Sequence, residues 1–170
     1  EAMRAALKGK WQQPLVDAMK ADFNKGELEV RLTEILPTLD NLKLVSKNLK
    51  RWTRPQREKT PLLLLGSTSY TEVQPKGSVL IISPWNYPIF LTLHPLTNAI
   101  AAGNTVILKP SEHTPNTSKV MAQMVAELFK PEEVHMILGG VEESQSHLAK
   151  RWDHIFFTGS TQVGQIVMEA

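Results

Sequence analysis

Apolar residues fall along this chain in two rhythms, and the change from one to the other divides it. From Glu27 to Arg51, the residues Leu28, Leu32, Ile35, Leu36, Leu39, Leu42, Val45 and Leu49 recur three or four apart. That spacing predicts one long amphipathic helix with a kink at Pro37. Glu1 to Asn24 is also helical in pattern, with Pro14 in the first turn of a second helix and Asn24-Lys25-Gly26 as its stop. Between Trp52 and Gln74 the rhythm is lost. Pro55 and Pro61 break up a leucine run, and Ser67 to Val73 alternates as an exposed or edge strand does. Leu62 to Leu65 has two readings, packing on its own domain or offering a surface to another chain.

From Lys76 onward, short β-branched runs alternate with helical ones. Ser78 to Ser83 is apolar without alternation, which suits a strand buried on both faces of a parallel sheet. Pro84 and Pro88 bar a continued ladder and place Asn86 on a loop at the strand's carboxyl end. Phe90, Leu93, Leu96, Ile100 and Ala101 then recur at helical spacing up to a glycine cap at Gly103, and Thr105 to Leu108 is a second buried strand. The alternation continues with a helix over Asn116 to Lys130, a strand over Val134 to Leu138 and a helix over Glu142 to Lys150. A strand over Asp153 to Thr158 and a final helix opened by Gly159 to Gly164 complete it. The expected class is α/β, an open parallel sheet with flanking helices behind an amino-terminal helical layer. Its expected divisions are a helical layer over 1–54, an extended arm or edge strands over 55–75 and an incomplete α/β domain over 76–170.

Composition narrows the function classes. A chain of 170 residues with 42% hydrophobic residues can bury a substantial core. A net charge of +2 is too small to indicate nucleic-acid binding, and the basic cluster Lys47 to Arg57 reads as a solvated helix end and loop. No apolar run is long enough to span a bilayer, and a cytoplasmic location is expected. The five histidines lack metal-ligand spacing, so no metal site is expected. His94 is expected to serve core or surface packing. Cysteine is absent, which removes thiolate chemistry from this chain.

Three groups of residues could carry chemistry, and each allows two readings. Gly159 to Gly164 follows a strand and opens a helix, where free N–H groups attract phosphate, but a glycine pair there also permits close packing. Lys109 and Glu112 follow the second strand, where they could hold ribose hydroxyls or form a surface ion pair. Asn86 is either a turn former or an amide donor to a developing oxyanion.

The runs PWNYP at Pro84, AAGN at Ala101, KPSE at Lys109, GGVEES at Gly139 and FFTGSTQVG at Phe156 resemble the aldehyde dehydrogenase superfamily, in its class 3 branch of fatty and aromatic aldehyde dehydrogenases. The resemblance covers nearly the whole chain and implies a Rossmann-like domain binding NAD, with NADP possible. It implies that Asn86 is catalytic and that the cofactor meets Ser83, Pro84, Trp85, Lys109, Ser111, Glu112, Gly139, Gly159, Ser160, Thr161, Val163 and Gly164. Lys109 and Glu112 are then expected at the adenine ribose, Gly159 and Ser160 at the pyrophosphate, and Val163 in the adenine pocket. It further implies oxidation of an aldehyde to an acid through a cysteine thioester, and a homodimer whose arm takes strands from the Trp52 to Gln74 region. The missing cysteine makes this chain, by expectation, the amino-terminal part of a larger enzyme and inactive alone; the alternative is a non-catalytic nucleotide-binding or assembly module.

Overall fold

Residues Glu1 to Ala170 are all described by the structure, a computed structural model. Two helices, α1 (Ala2–Lys8) and α2 (Gln12–Phe23), open the chain, and α2 ends at Asn24 in the left-handed conformation, φ 56°. The expected long helix is present in three joined pieces: α3 (Glu27–Val30), a π-helical turn over Arg31–Ile35, and α4 (Leu36–Trp52). The irregularity therefore lies one turn ahead of Pro37 rather than at it. A proline lacks the N–H that would bond back into the preceding turn, and a wider turn there accommodates the missing bond. Thr38 at the join bonds its hydroxyl back to the Glu34 carbonyl at 2.6 Å.

The stripe on this helix is only half buried. Ile35, Leu42 and Val45 are in the core, while Leu28 is 70% exposed and Leu32 and Leu36 are also exposed. The exposed leucines lie in all three pieces, Leu28 in α3, Leu32 in the π turn and Leu36 in α4, so the expected stripe is not buried as one continuous seam. Beyond it, β1 (Gln56–Glu58) and β2 (Ser69–Thr71) pair antiparallel in an exposed ribbon. Between them Leu62 to Leu65 forms a turn on the surface, with Leu63 98% exposed, which closes the reading in which this run packs on its own domain.

The main sheet has four parallel strands, β3 (Ser78–Ile82), β4 (Thr105–Lys109), β5 (Val134–Met136) and β6 (His154–Phe157), in the order β5-β4-β3-β6. Helices α5 (Pro88–Ala101), α6 (Pro115–Leu128) and α7 (Val141–Leu148) connect them, and α8 (Thr161–Glu169) follows β6. Gly103 stops α5 at φ +87°, as its position after Ala102 suggests. Both β5 and α7 are shorter than the pattern predicts. The chain reverses direction across the sheet between β3 and β6, and open α/β sheets place their crevice at such a point.

The helical layer lies on α5 and α6, which lie on the sheet, and one cluster of 21 buried residues runs from Met3 to Met136 through all three. Polar contacts fix the layers as well. Asp22 Oδ1 accepts from the Asn116 backbone N–H at 3.1 Å, and Oδ2 accepts from the Thr117 N–H at 2.8 Å and its hydroxyl at 2.7 Å. These are first-turn groups of α6, whose own N-cap, Thr114, makes no side-chain cap. No helix is long and apolar enough to cross a membrane. Loss of this borrowed cap in Asp22→Ala is expected to cost about 1–2 kcal/mol, read as a lower urea midpoint at unchanged m. An unaltered midpoint would mean that the α6 terminus does not depend on Asp22.

Candidate functional site

The carboxyl ends of three strands are held level by hydrogen bonds that continue past the ladder. Ser83 N–H donates to the Lys109 carbonyl at 3.1 Å, and Thr158 N–H donates to the Ile82 carbonyl at 3.0 Å. The Ser83 hydroxyl, buried, shares a 2.6 Å bond with the Thr92 hydroxyl of α5. This rim borders a cavity of about 410 Å³ at the reversal point, between β4, β3, β6 and helices α7 and α8. Ser83, Pro84, Trp85, Lys109, Ser111, Glu112, Gly159, Ser160 and Val163 all line it. Of the other residues singled out in the sequence, Asn86, Gly139, Thr161 and Gly164 lie outside that lining.

Lys109 is the electrostatic focus. The residue is 2% exposed, its ammonium donates to the Pro110 carbonyl at 2.8 Å, and no carboxylate lies within ion-pair distance. A surface ion pair with Glu112 is thereby excluded. Burial holds the ammonium's pKa below the usual lysine range, partly offset by the charges of Glu112 and Glu143. An ammonium has three donors, so the one bond leaves capacity for a ligand oxygen. The turn that presents Glu112 is folded on Ser111, whose carbonyl accepts from the Thr114 hydroxyl at 3.2 Å and the Ser118 hydroxyl at 3.3 Å.

At the opposite wall, Ser160 is the N-cap of α8 and its hydroxyl accepts from the Val163 N–H at 3.3 Å. That leaves earlier N–H groups of the first turn directed out of the helix end, together with its positive dipole. A Cβ on Gly159 would collide with the Phe157 ring, and Gly164 lies against the same ring. Close packing is therefore one use of this glycine pair. Two apolar surfaces of the cavity escaped the sequence reading: Val141 and Leu148 on α7, and Ile166 and Val167 on α8. The spacing 141, 145, 148 does place one face of α7 together, but nothing in sequence pairs that face with α8.

Asn86 stands just outside, on the loop Pro84 to Pro88. It is exposed and its carboxamide makes no hydrogen bond to the protein, while its main-chain carbonyl accepts from Lys25 Nζ at 3.0 Å. Trp85, which does line the cavity, is half exposed and its ring lies 5.9 Å from the Phe23 ring between centroids. His94, on α5, lies edge-on to Phe90 at 5.0 Å between ring centroids, with burial lowering its pKa.

Strand order, rim and helix N-terminus define a Rossmann-type α/β fold with its crevice at the reversal point. The model of the aldehyde dehydrogenase family matches residues 2–170, and the chain belongs to that family. It is 43% identical to 4,4'-diaponeurosporen-aldehyde dehydrogenase of Staphylococcus aureus over 160 residues, 94% of this chain and 35% of that protein. It is 41% identical to aldehyde dehydrogenase family 3 member A2 of Pongo abelii over 170 residues, all of this chain and 35% of that one. Among solved structures, the substrate-bound state of Staphylococcus aureus AldH matches 99% of this chain and 36% of its own at a TM-score of 0.95 and 42% identity. The chain thus spans about a third of the length of these relatives.

The buried, unpaired ammonium makes a direct prediction about stability. Lys109→Met keeps the aliphatic stem and removes a charge that burial disfavours, so the unliganded protein is expected to gain about 1 kcal/mol at neutral pH. The gain should shrink as pH rises through the lowered folded pKa toward 10.5, because the wild-type cation is then lost anyway. Thermal unfolding at pH 7 and at pH 10 checks this; a destabilised variant at pH 7 would show that the Pro110 bond outweighs the desolvation.

Proposed function

We propose that this chain is the nucleotide-binding part of an NAD(P)-dependent aldehyde dehydrogenase, in which the cavity takes the adenosine and phosphate portions of NAD and Asn86 assists the aldehyde. The observation that carries this reading is the convergence on one cavity of a buried ammonium with unused donors, an acidic turn and a capped helix N-terminus. Lys109 would donate to ribose hydroxyls and Glu112 accept from them. The negative charge of Glu112 disfavours a 2′-phosphate, which favours NAD over NADP. The start of α8 with Ser160 would face the pyrophosphate, and Val163 with Val141 would contact the adenine ring. NAD, when bound, supplies the hydride acceptor.

Asn86 has the free amide needed to donate to the aldehyde oxygen as that oxygen becomes negative. A thiolate must come from elsewhere in the whole protein, since this chain has no cysteine. A homodimer and a cytoplasmic location belong to the same proposal, the former supported by the exposed leucines 62–65 beside the exposed β1-β2 ribbon. The division into a helical layer, an arm and a nucleotide-binding domain belongs to it too.

Two outcomes are expected. By calorimetry on this chain, AMP and NAD should bind with similar, roughly millimolar affinity, about 4 kcal/mol, and Glu112→Gln should narrow the preference for NAD over NADP. Tight NAD binding without AMP competition would remove the adenosine assignment, and binding by neither ligand would favour a structural remnant. In the whole protein, Asn86→Ala should lower the rate of acylation by roughly two to three powers of ten with NAD affinity nearly unchanged, as read in the single-turnover burst of NADH. An unaltered burst would take Asn86 out of this role.

A further inference from the structure

On the side of the Pro84 to Pro88 loop away from the cavity, two charged residues of the amino-terminal layer take hold of it. Glu34, in the π turn, is 0% exposed. Its Oε2 accepts from the Ile89 N–H at 2.8 Å and the Phe90 N–H at 3.4 Å, the first-turn donors of α5. Its Oε1 accepts from Lys25 Nζ at 3.1 Å. The same ammonium donates to the Asn86 carbonyl at 3.0 Å and lies 4.3 Å from the centroid of the Tyr87 ring. Residues 86, 87, 89 and 90 are thus all tied to this pair, which is 55 or more positions away in sequence.

A purely structural cap would need less than this. Asp22 caps α6 with a carboxylate alone and touches no loop residue ahead of the helix. At α5 the carboxylate is deeply buried, and burial pushes the Glu34 carboxyl above its usual range against the pull of Lys25 and the two N–H groups. Lys25 does two things at once: it opposes that neutralisation, and it carries the contact forward onto the main chain of Asn86. The Asn86 side chain itself is held by nothing in the protein, so the backbone at this residue is what sets where the carboxamide stands.

We propose that Lys25 and Glu34 form a clamp whose task is to position Asn86, making them positioning residues for the oxyanion step. The inference rests on the proposed role of Asn86, and the test separates the two. In the whole protein, with hexanal and NAD as probes, the burst rate, kcat and KM are measured for Lys25→Met, Lys25→Arg, Glu34→Gln and Asn86→Ala, and for Lys25→Met combined with Asn86→Ala. Amide exchange at Ile89 and Phe90 is followed in parallel. Lys25→Met should slow the burst by about ten- to a hundredfold with KM for NAD unchanged, and should speed exchange at both amides. Glu34→Gln, which keeps an acceptor and loses the charge, should do the same to a smaller degree. Lys25→Arg should restore most of the rate, because a guanidinium can reach the same carboxylate, carbonyl and ring face. The double variant should be no slower than Asn86→Ala alone.

An additive loss in the double variant would overturn the proposal, as would unchanged rate and exchange in Lys25→Met. Should Asn86→Ala leave the burst intact, the oxyanion reading fails by itself. The exchange data then decide the clamp: faster exchange at Ile89 and Phe90 in Lys25→Met keeps it as an anchor of the loop, and unchanged exchange removes it.

Discussion

Carboxylates lent by one layer to the helix ends of another hold this structure in register. Helices α5 and α6 begin just beyond the carboxyl ends of β3 and β4, where they leave first-turn N–H groups that their own caps, Tyr87 and Thr114, do not satisfy with side chains. Glu34 and Asp22 satisfy them from the amino-terminal layer. Apolar packing alone would let the layer slide over α5 and α6, since the hydrophobic effect has no direction. Charge-assisted bonds to particular N–H groups do not permit that. The layer therefore sets the start of both helices, and through them the two loops from which Asn86 and Glu112 project.

The same rim carries an opposing strain. Lys109, the last residue of β4, is buried without a carboxylate, and its charge is disfavoured there. In β4 and the neighbouring β3 the other buried residues are apolar, Val79, Leu80, Ile81, Val106 and Leu108, and the buried hydroxyls of Ser83, Thr92 and Thr97 each have a partner. A polar group that costs stability and sits at a cavity mouth is the pattern expected where a ligand supplies the missing interactions.

What the sequence made legible follows from the range of the forces involved. The strand, loop and helix from Ser78 to Ala101 are set by local chemistry, namely a β-branched run, two prolines and a glycine stop, and they stand within a residue or two of their expected limits. Residues that follow a strand could be assigned to the rim because parallel sheets place such ends together, and Ser83, Lys109, Glu112 and Ser160 do line one cavity. The π turn was not legible, since Arg31 to Ile35 reads as an ordinary stretch of helix and only the proline two residues beyond hints at it. Nor was the burial of Lys109, for a lysine ahead of Pro110 looks like surface. Lys25 and Glu34 gave no signal either, because the groups they bond lie far along the chain and are backbone atoms, which every residue has.

These features also explain how Asn86 lies outside the cavity lining and is still tied to its rim. Trp85 lines the cavity and Asn86 follows it directly, on a loop only five residues long with a proline at each end. Each proline fixes its own φ and restricts the residue before it, so Pro84 and Pro88 stiffen the two ends of the loop. At its start this loop is tied to the cavity rim through Ser83 and the Lys109 carbonyl, and at its end to the helical layer through Glu34. The cavity rim and the free carboxamide are thereby joined by one short segment that is anchored at both ends, and through it the helical layer is linked to the crevice.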